Sequence, residues 1–397
     1  MLERTADDNQ DDSPADSRTR DAVEGPLRVL GVDPELGFAG GETQVLGLTL
    51  ELLRAGHDAE LACDPRGELY ARATAAGVVC HALSIRNALD LGAAFRLRAI
   101  LAQGRHDVVH FHTSRAHSMA PMVGGMARAM VVTRRMDYRP NRLFAPYLYN
   151  RAVDAVAAIS VPVARALEAA GVSPDRVVII PSGVDCERFR PPGADERRIA
   201  RERFGIASDE FAVGTVGALE ERKGHRYLLE ALAALGAEPG SPRVVCLIAG
   251  KGSLAGELSK IAERRAISGR VRMLGQVEDS SHLLAALDVF VFPSLKEGLG
   301  VAMLEAMASG LAVVASASGG VTDVIEDGVS GLLVPPADSH AIAKAISRLR
   351  DEQERRRLGA AARERVCAQF SIAAMARRTV ALYRACLARQ GPNEGRN

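Results

Sequence analysis

Asp288-Val-Phe-Val-Phe-Pro293, Glu297-Gly-Leu-Gly-Val-Ala-Met-Leu-Glu305 and Ala312-Val-Val-Ala315 follow closely on one another and read as strand, glycine-bearing turn, helix, strand. Gly298 and Gly300 let the backbone approach a ligand closely. The helix after them presents free N–H groups and a positive dipole end to an anion such as a diphosphate. Glu297 precedes that helix and Glu305 lies within it. If the steps between them are mostly helical, the two carboxylates stand about 12 Å apart at ~1.5 Å per residue. Carboxylates that hydrolyse a glycoside share one anomeric carbon across about 5–10 Å. The spacing instead suits a pyrophosphate lying between two carboxylates that each hold hydroxyls.

The alternation continues on both sides of this stretch. Leu27–Val32 reads as a strand, followed by the glycine cluster Gly37-Phe-Ala-Gly-Gly41 and a helix from Gln44 through Leu53. Ala59–Cys63, a helix near Glu68–Ala76, Val78–Leu83, a helix near Leu91–Gln103 and Asp107-Val-Val-His-Phe-His112 complete a first set. Ile179-Ile-Pro-Ser-Gly-Val-Asp185 with Pro191-Pro-Gly193 reads as a hinge. Phe211–Gly217, Val244–Gly250, Val271–Gly275, Val289–Phe292 and Ala312–Ala315 then make a second set. Such alternation predicts an α/β chain of two Rossmann-like, doubly wound domains with ligands beyond the carboxyl ends of the strands. The expected boundaries are an acidic disordered tail over residues 1–25, a first domain over 26–188, a second over 189–371, and a terminal segment over 372–397.

Composition bounds the function. The chain has 397 residues, 47% apolar, with a formal net charge of +1, a balance that does not point to nucleic acid. Six cysteines at 63, 80, 186, 246, 367 and 386 form no C-x-x-C pair and no metal spacing, which suits buried, reduced thiols. No apolar run approaches the ~20 residues of a bilayer span, and Met1-Leu-Glu-Arg-Thr-Ala-Asp-Asp lacks the apolar core of a secretory signal. The expected location is the cytosol.

Other residues carry candidate chemistry. Gly217-Ala-Leu-Glu-Glu-Arg-Lys-Gly-His225 follows a strand, so Lys223 and Arg222 either face an inter-domain diphosphate or merely solvate the turn. Gly250-Lys-Gly252 after the 244–249 strand is a tight backbone approach or only a turn. Gly40 and Gly41 offer unhindered N–H groups on a first-domain loop, or make a plain turn. The G-x-G-x-x-G dinucleotide fingerprint and its acidic partner are absent, which disfavours an NAD site. His110 and His112 share one strand face and are open to three readings: packed rings, substrate contacts, or two ligands of a metal whose third is not visible. From Arg134 to Arg151 five arginines stand against one aspartate, interleaved with Tyr138, Phe144, Tyr147 and Tyr149. This segment either docks on anionic lipid head groups or is a solvated loop and helix.

The E-x7-E signature of Glu297 and Glu305, with Gly214 to Pro336 around it, resembles the retaining glycosyltransferases of family 4, which have the GT-B architecture. The resemblance covers nearly all of residues 27–389 and implies a C-terminal helix, Ile372–Arg389, crossing back to the first domain. It implies transfer of a sugar from a nucleoside-diphosphate donor to an acceptor hydroxyl with retention of configuration, and no metal or other cofactor. Glu297 would hold the donor sugar, Glu305 the ribose, and Lys223, Arg222 and the N–H groups at Leu299–Val301 the departing diphosphate. The base would be read by backbone near Leu274–Val277, with Gly217, Gly250 and Gly252 lining the cleft and His112 at its edge. The resemblance implies no enzyme nucleophile, the phosphate oxygen itself receiving the acceptor proton. Two positions depart from the family pattern: Ala218 stands where an arginine is usual, and Arg135 where several similar enzymes have a histidine. The acceptor expected is a cell-envelope or lipid-linked glycan. The alternatives are a hydrolase or phosphorylase on the same scaffold, or a catalytically silent sugar-nucleotide-binding subunit.

Overall fold

A computed structural model describes residues 25–136, 144–235 and 243–389. The first sheet is built from β1 (Arg28–Asp33), β2 (Asp58–Cys63), β3 (Cys80–Ala82), β4 (Val108–Phe111), β5 (Ala129–Arg134), β6 (Ala155–Ala158) and β7 (Val177–Ile179). The second is built from β8 (Phe211–Val216), β9 (Val244–Ala249), β10 (Val271–Gly275), β11 (Val289–Phe292), β12 (Ala312–Ser316) and β13 (Leu332–Val334). Strand order is β3-β2-β1-β4-β5-β6-β7 in one and β10-β9-β8-β11-β12-β13 in the other, and the pairings are parallel. In both sheets the order reverses direction at one point, beside β1 and β4 or beside β8 and β11. A crevice opens there at the carboxyl ends of the strands.

The sequence dictates this layering. β9 and β11 are continuous apolar runs buried along their whole length, as strands covered by helices on both faces must be. The helices used below are α1 (Gly40–Arg54), α2 (Leu91–Gly104), α3 (Val161–Glu168), α4 (Val301–Ala308), α5 (Glu352–Gln369) and α6 (Ile372–Ala388). One apolar cluster runs from Leu30 and Val32 in the first domain through Ile159 to Leu299 and Val321 in the second.

The chain crosses between the sheets twice, side by side. Val184 N–H donates to Phe370 O at 2.8 Å, and Ile372 N–H donates to Val184 O at 3.0 Å. Gln44 holds the outgoing crossing by bonding both the N–H and the carbonyl of Gly183, at 2.6 and 2.8 Å. After the return, α6 buries Met375, Leu382, Tyr383 and Leu387 against Leu48, Leu52, Val131 and Ala155. Each such side chain contributes about 1.5–3 kcal/mol, enough to fix the helix on the first domain.

Several element bounds differ from the sequence reading. α1 begins at Gly40 rather than Gln44, so Gly40 and Gly41 form its first turn and are not loop residues. Val131-Val-Thr-Arg-Arg135, which also reads as a strand, lies in β5 only as far as Arg134, leaving Arg135 just beyond its end. The six cysteines are free; Cys63, Cys246 and Cys386 are buried, and Cys80, Cys186 and Cys367 are partly exposed. Among the described residues, no helix is long and apolar enough to cross a membrane. The acidic segment 1–24 and the tail after 389 lie outside the described residues.

Candidate active site

The site is assembled where α1 and α4 meet end to end. Gly300 precedes α4 with φ +99, a conformation that suits glycine, and a Cβ there would sit 2.9 Å from the Phe292 ring. Neither N-cap side chain bonds the turn that follows, and Glu42 takes only the Ala39 N–H, at 2.7 Å, so the N–H groups after Ala39 and Gly300 are open to an anion. The two starts face one another: a Cβ on Gly40 would lie 3.4 Å from Val301 Cγ2 of the other domain. Each end carries about half a positive charge from its dipole. Gly41 lies beside Arg135, whose Cδ is 3.8 Å from a Cβ built there.

Lys223 stands on the turn after β8 and forms an ion pair with Glu297, the two side chains only 13% and 12% exposed. Gly217 leaves the lane along which the lysine stem runs, 3.7 Å from a built Cβ. Ser294 Oγ donates to the same Glu297 oxygen at 3.4 Å, and Lys223 Nζ lies 5.1 Å from the centroid of the Phe292 ring. Backbone joins the two loops as well, Leu295 N–H donating to Arg222 O at 2.7 Å.

Arg222 is paired outside the Lys223–Glu297 contact. Its Nε donates to Glu220 at 2.9 Å in an exposed pair. Arg222→Ser is therefore expected to leave diphosphate affinity within about threefold by calorimetry, since exposed pairs of this kind contribute at most about 1 kcal/mol. A tenfold loss would return Arg222 to the site.

The helical premise for the Glu297–Glu305 spacing is corrected, because residues 297–300 form a turn and α4 starts at Val301. The carboxylates have separate surroundings. Glu305 accepts from Ser280 Oγ at 2.9 Å near Asp279, itself paired with Arg188. Burial pushes its carboxyl up to about 7, a rise that the Ser280 bond and Arg188 oppose. A folded-state pKa above the unfolded value of 4.5 means that the native protein holds the extra proton between pH 4.5 and about 7. This contribution to stability is complete below pH 4.5 and is lost as pH rises through 7. Glu305→Gln should therefore gain on the wild type as pH is raised from 5 to 8, by on the order of 2 kcal/mol in denaturant titrations. A pH-independent difference would contradict the assignment.

The remaining glycines also stand where backbones approach closely. A Cβ on Gly298 would meet Arg135 O at 2.3 Å, so the glycine also lets the first domain's backbone come close. Gly250 and Gly252 lie against the carbonyls of Gly217 and Leu219, a built Cβ coming within 1.8 and 2.3 Å. Leu299 is buried in the core, and Val277 lies partly buried just before Ser280.

On the first-domain wall, His110 is a packed ring. Its Nδ1 bonds Tyr383 Oη at 2.6 Å, its Nε2 bonds Thr133 Oγ1 at 2.7 Å, and burial depresses its pKa to about 3. His112 stacks 4.1 Å away, buried, its backbone N–H on Val32 O and its Nδ1 without a partner. Burial, with His110 and Arg135 nearby, holds it neutral. Among the described residues no group of three His, Cys, Asp or Glu is placed to hold a metal.

Two carboxylates that the sequence reading did not single out complete this wall. Asp33, at the end of β1, is 1% exposed and accepts from Glu35 N–H at 3.1 Å. Burial raises its carboxyl to about 7, and Glu42 raises it further while Arg135 opposes. Burial lowers the Arg135 pKa, and Asp33 and Glu42 push it back up. A third, Asp323 of the second domain, accepts from Val161 N–H at the start of α3 at 2.7 Å and so ties the domains together. The only sequence signal for Asp33 was a charge ending a core strand.

Part of the basic segment 134–151 lies outside the described residues. Arg134 is buried, Arg135 is partly buried near Asp33 and Glu42, and Tyr149 is buried against His117 at 4.5 Å. Phe144 and Tyr147 are exposed, while Tyr138, Arg139 and Arg142 lie outside the described residues.

Comparison with known proteins places this architecture. Residues 38–188 match the family described as Glycosyltransferase Family 4, and residues 196–365 match Glycosyl transferases group 1. The D-inositol 3-phosphate glycosyltransferase of Geodermatophilus obscurus is 33% identical over 258 residues, 62% of this chain and 56% of that protein. The lipopolysaccharide core biosynthesis glycosyltransferase LpsE of Rhizobium meliloti is 36% identical over 174 residues, 44% of this chain and 49% of LpsE. The chain thus spans about half the length of these relatives. Anabaena Alr3699/HepE, solved in complex with UDP and glucose, shares the fold at TM-score 0.79 and 21% identity, over 90% of this chain and 99% of that one. A glycosyltransferase from Rickettsia africae shares it at TM-score 0.82 and 21% identity, over 91% of this chain and 99% of its own. The first family model covers the N-terminal half and the second the C-terminal half, so both halves of the chain resemble glycosyltransferases, and the chain has the GT-B fold.

Proposed function

We propose that this protein transfers a sugar from a nucleoside-diphosphate donor to an acceptor hydroxyl, with retention of configuration and without a metal ion. The observation that carries this reading is the meeting of the α1 and α4 starts beside the Lys223–Glu297 pair. A diphosphate seated there gains two helix dipoles and one ammonium, the charge that a divalent cation supplies in other enzymes. As the donor enters, Lys223 turns to the phosphate and Glu297 is freed to accept from sugar hydroxyls. Glu305 accepts from the ribose. The acceptor oxygen bonds the anomeric carbon on the face from which the phosphate oxygen leaves, and that oxygen takes the acceptor proton. Arg135, between Asp33 and Glu42, faces the acceptor side.

The UDP and glucose of Alr3699/HepE support a uridine donor, and the name of LpsE supports an envelope glycan or lipid-linked acceptor. The enzyme would work at the cytoplasmic face of the membrane. The test is to incubate it with a panel of nucleotide sugars and glycan acceptors, with and without EDTA, and read products by NMR. Retained configuration in EDTA is the expected result. Free sugar with water alone would make it a hydrolase, sugar phosphate with added phosphate a phosphorylase, and no turnover a binding subunit.

A further inference from the structure

Large apolar side chains scattered singly on a surface need no explanation, but a group of them along one edge does. Leu36 after β1, Leu89, Leu91 and Phe95 after β3, and Met136 and Phe144 after β5 are all exposed. All stand at or just beyond the carboxyl edge of the first sheet, where Gly40, His112 and Arg135 also lie. The densest part is the start of α2. That helix buries Ala93, Ala94, Leu97 and Leu101, yet leaves Leu91 and Phe95, one turn apart, 63% and 71% exposed, with Leu89 before it at 81%.

Glu35 beside Leu36 is paired with Arg115, and at the start of α2 the exposed charges are of one sign. α2 contains no acidic residue, and Arg96 and Arg98 are exposed on it, Arg98 also donating one Nη1–H to Met122 O at 3.0 Å. Asp90, which caps the helix, is buried and already holds Arg86 Nε at 3.0 Å and Ala93 N–H at 3.1 Å. Apolar tips flanked by arginines, with no free carboxylate between them, complement an anionic lipid surface.

We propose that the start of α2, with Leu89, Leu91 and Phe95, docks this edge on anionic membrane, the apolar tips entering the head-group boundary and Arg96 and Arg98 meeting lipid phosphates. The contact expected from sequence at 134–151 is thereby moved to α2. The first-domain cleft then opens at the lipid surface. The inference rests on the proposed transfer only for its purpose, the delivery of a lipid-linked acceptor; the binding itself is measured without turnover.

The experiment is sedimentation of the full chain with vesicles of phosphatidylcholine alone or mixed with phosphatidylglycerol. Binding to the mixed vesicles is expected to weaken with salt, to fall about fivefold in Arg96→Ser, and to fall at least about tenfold in the triple variant Leu89→Ser, Leu91→Ser, Phe95→Ser. Thermal denaturation and nucleotide titration of the triple variant, expected unchanged, separate docking from misfolding. If the triple variant misfolds, Arg96→Ser and the salt series decide. No vesicle binding, equal binding to neutral vesicles, or undiminished binding by the triple variant overturns the proposal. So does a wild-type dimer that the variant dissolves, which would make a second copy the occupant. Loss of nucleotide binding with vesicle binding intact would overturn the transfer reading alone.

Discussion

Lys223→Ala lowers kcat by on the order of 100- to 1,000-fold, the cost of removing one charge-stabilising donor from a reacting site. The lysine is the cation that the structure places against Glu297, and Arg222 is occupied by Glu220. Its loss acts twice. The departing diphosphate loses an ammonium, and the Glu297 carboxylate, largely buried, is left with only the long Ser294 contact of 3.4 Å. An unpaired buried carboxylate is costly, so the free protein should also lose stability, by about 1–3 kcal/mol. The double variant Lys223→Ala, Glu297→Gln should recover most of that stability and none of the rate. Steady-state kinetics beside denaturant titrations separate the two effects; a kcat within threefold of the wild type would remove Lys223 from the chemistry.

Gly319→Ala should be comparably severe for a purely geometric reason. Gly319 has φ +55, and a Cβ there would lie 1.8 Å from Glu297 O, which no side-chain adjustment relieves because the obstacle is backbone. The same loop supports the turn bearing Glu297: Gly320 N–H donates to Glu297 O at 3.2 Å, and Ser318 Oγ donates to Ser294 O at 2.7 Å. The turn must move by about an ångström, a displacement that costs roughly 100-fold in rate, with a stability loss of roughly 2–4 kcal/mol. Gly328→Ala is the control. It has φ +72 but nothing within 4 Å of a built Cβ, so it should lose only about 1 kcal/mol and keep full activity. Equal effects at the two positions would show that backbone strain, not the clash with Glu297, is responsible.

The fold was legible because its signals are local. Apolar runs such as Val289–Phe292 and Val244–Ala249, spaced by helix-length segments, admit little but parallel sheets covered on both faces. Lys223 and Glu297 were each legible as site candidates, but their pairing across 74 residues was not. The pairing of Arg222 could not be read either, since Glu220 two residues away competes for it and a turn decides between the two. Gly298 was read through a ligand that the sequence invites; that Arg135 O also comes close to it depends on a domain whose position periodicity cannot give. Asp33, Glu42 and Asp323 escaped for a related reason. A carboxylate at a strand end or a helix start is common, and only the burial of Arg135 between two of them, or the free N–H of Val161 beside the third, marks it. In the basic run 134–151 the first arginine is drawn inside by β5, which its charge alone could not show.

Calorimetric titration of UDP, GDP, ADP and CMP into the wild type, Lys223→Ala and Glu305→Ala, with and without magnesium, tests most directly that this cleft grips a nucleoside diphosphate without a metal. The account predicts that one diphosphate binds, that binding survives EDTA, and that each variant weakens it by about tenfold or more. Binding that requires magnesium, that both variants leave unchanged, or that none of the four shows would contradict it.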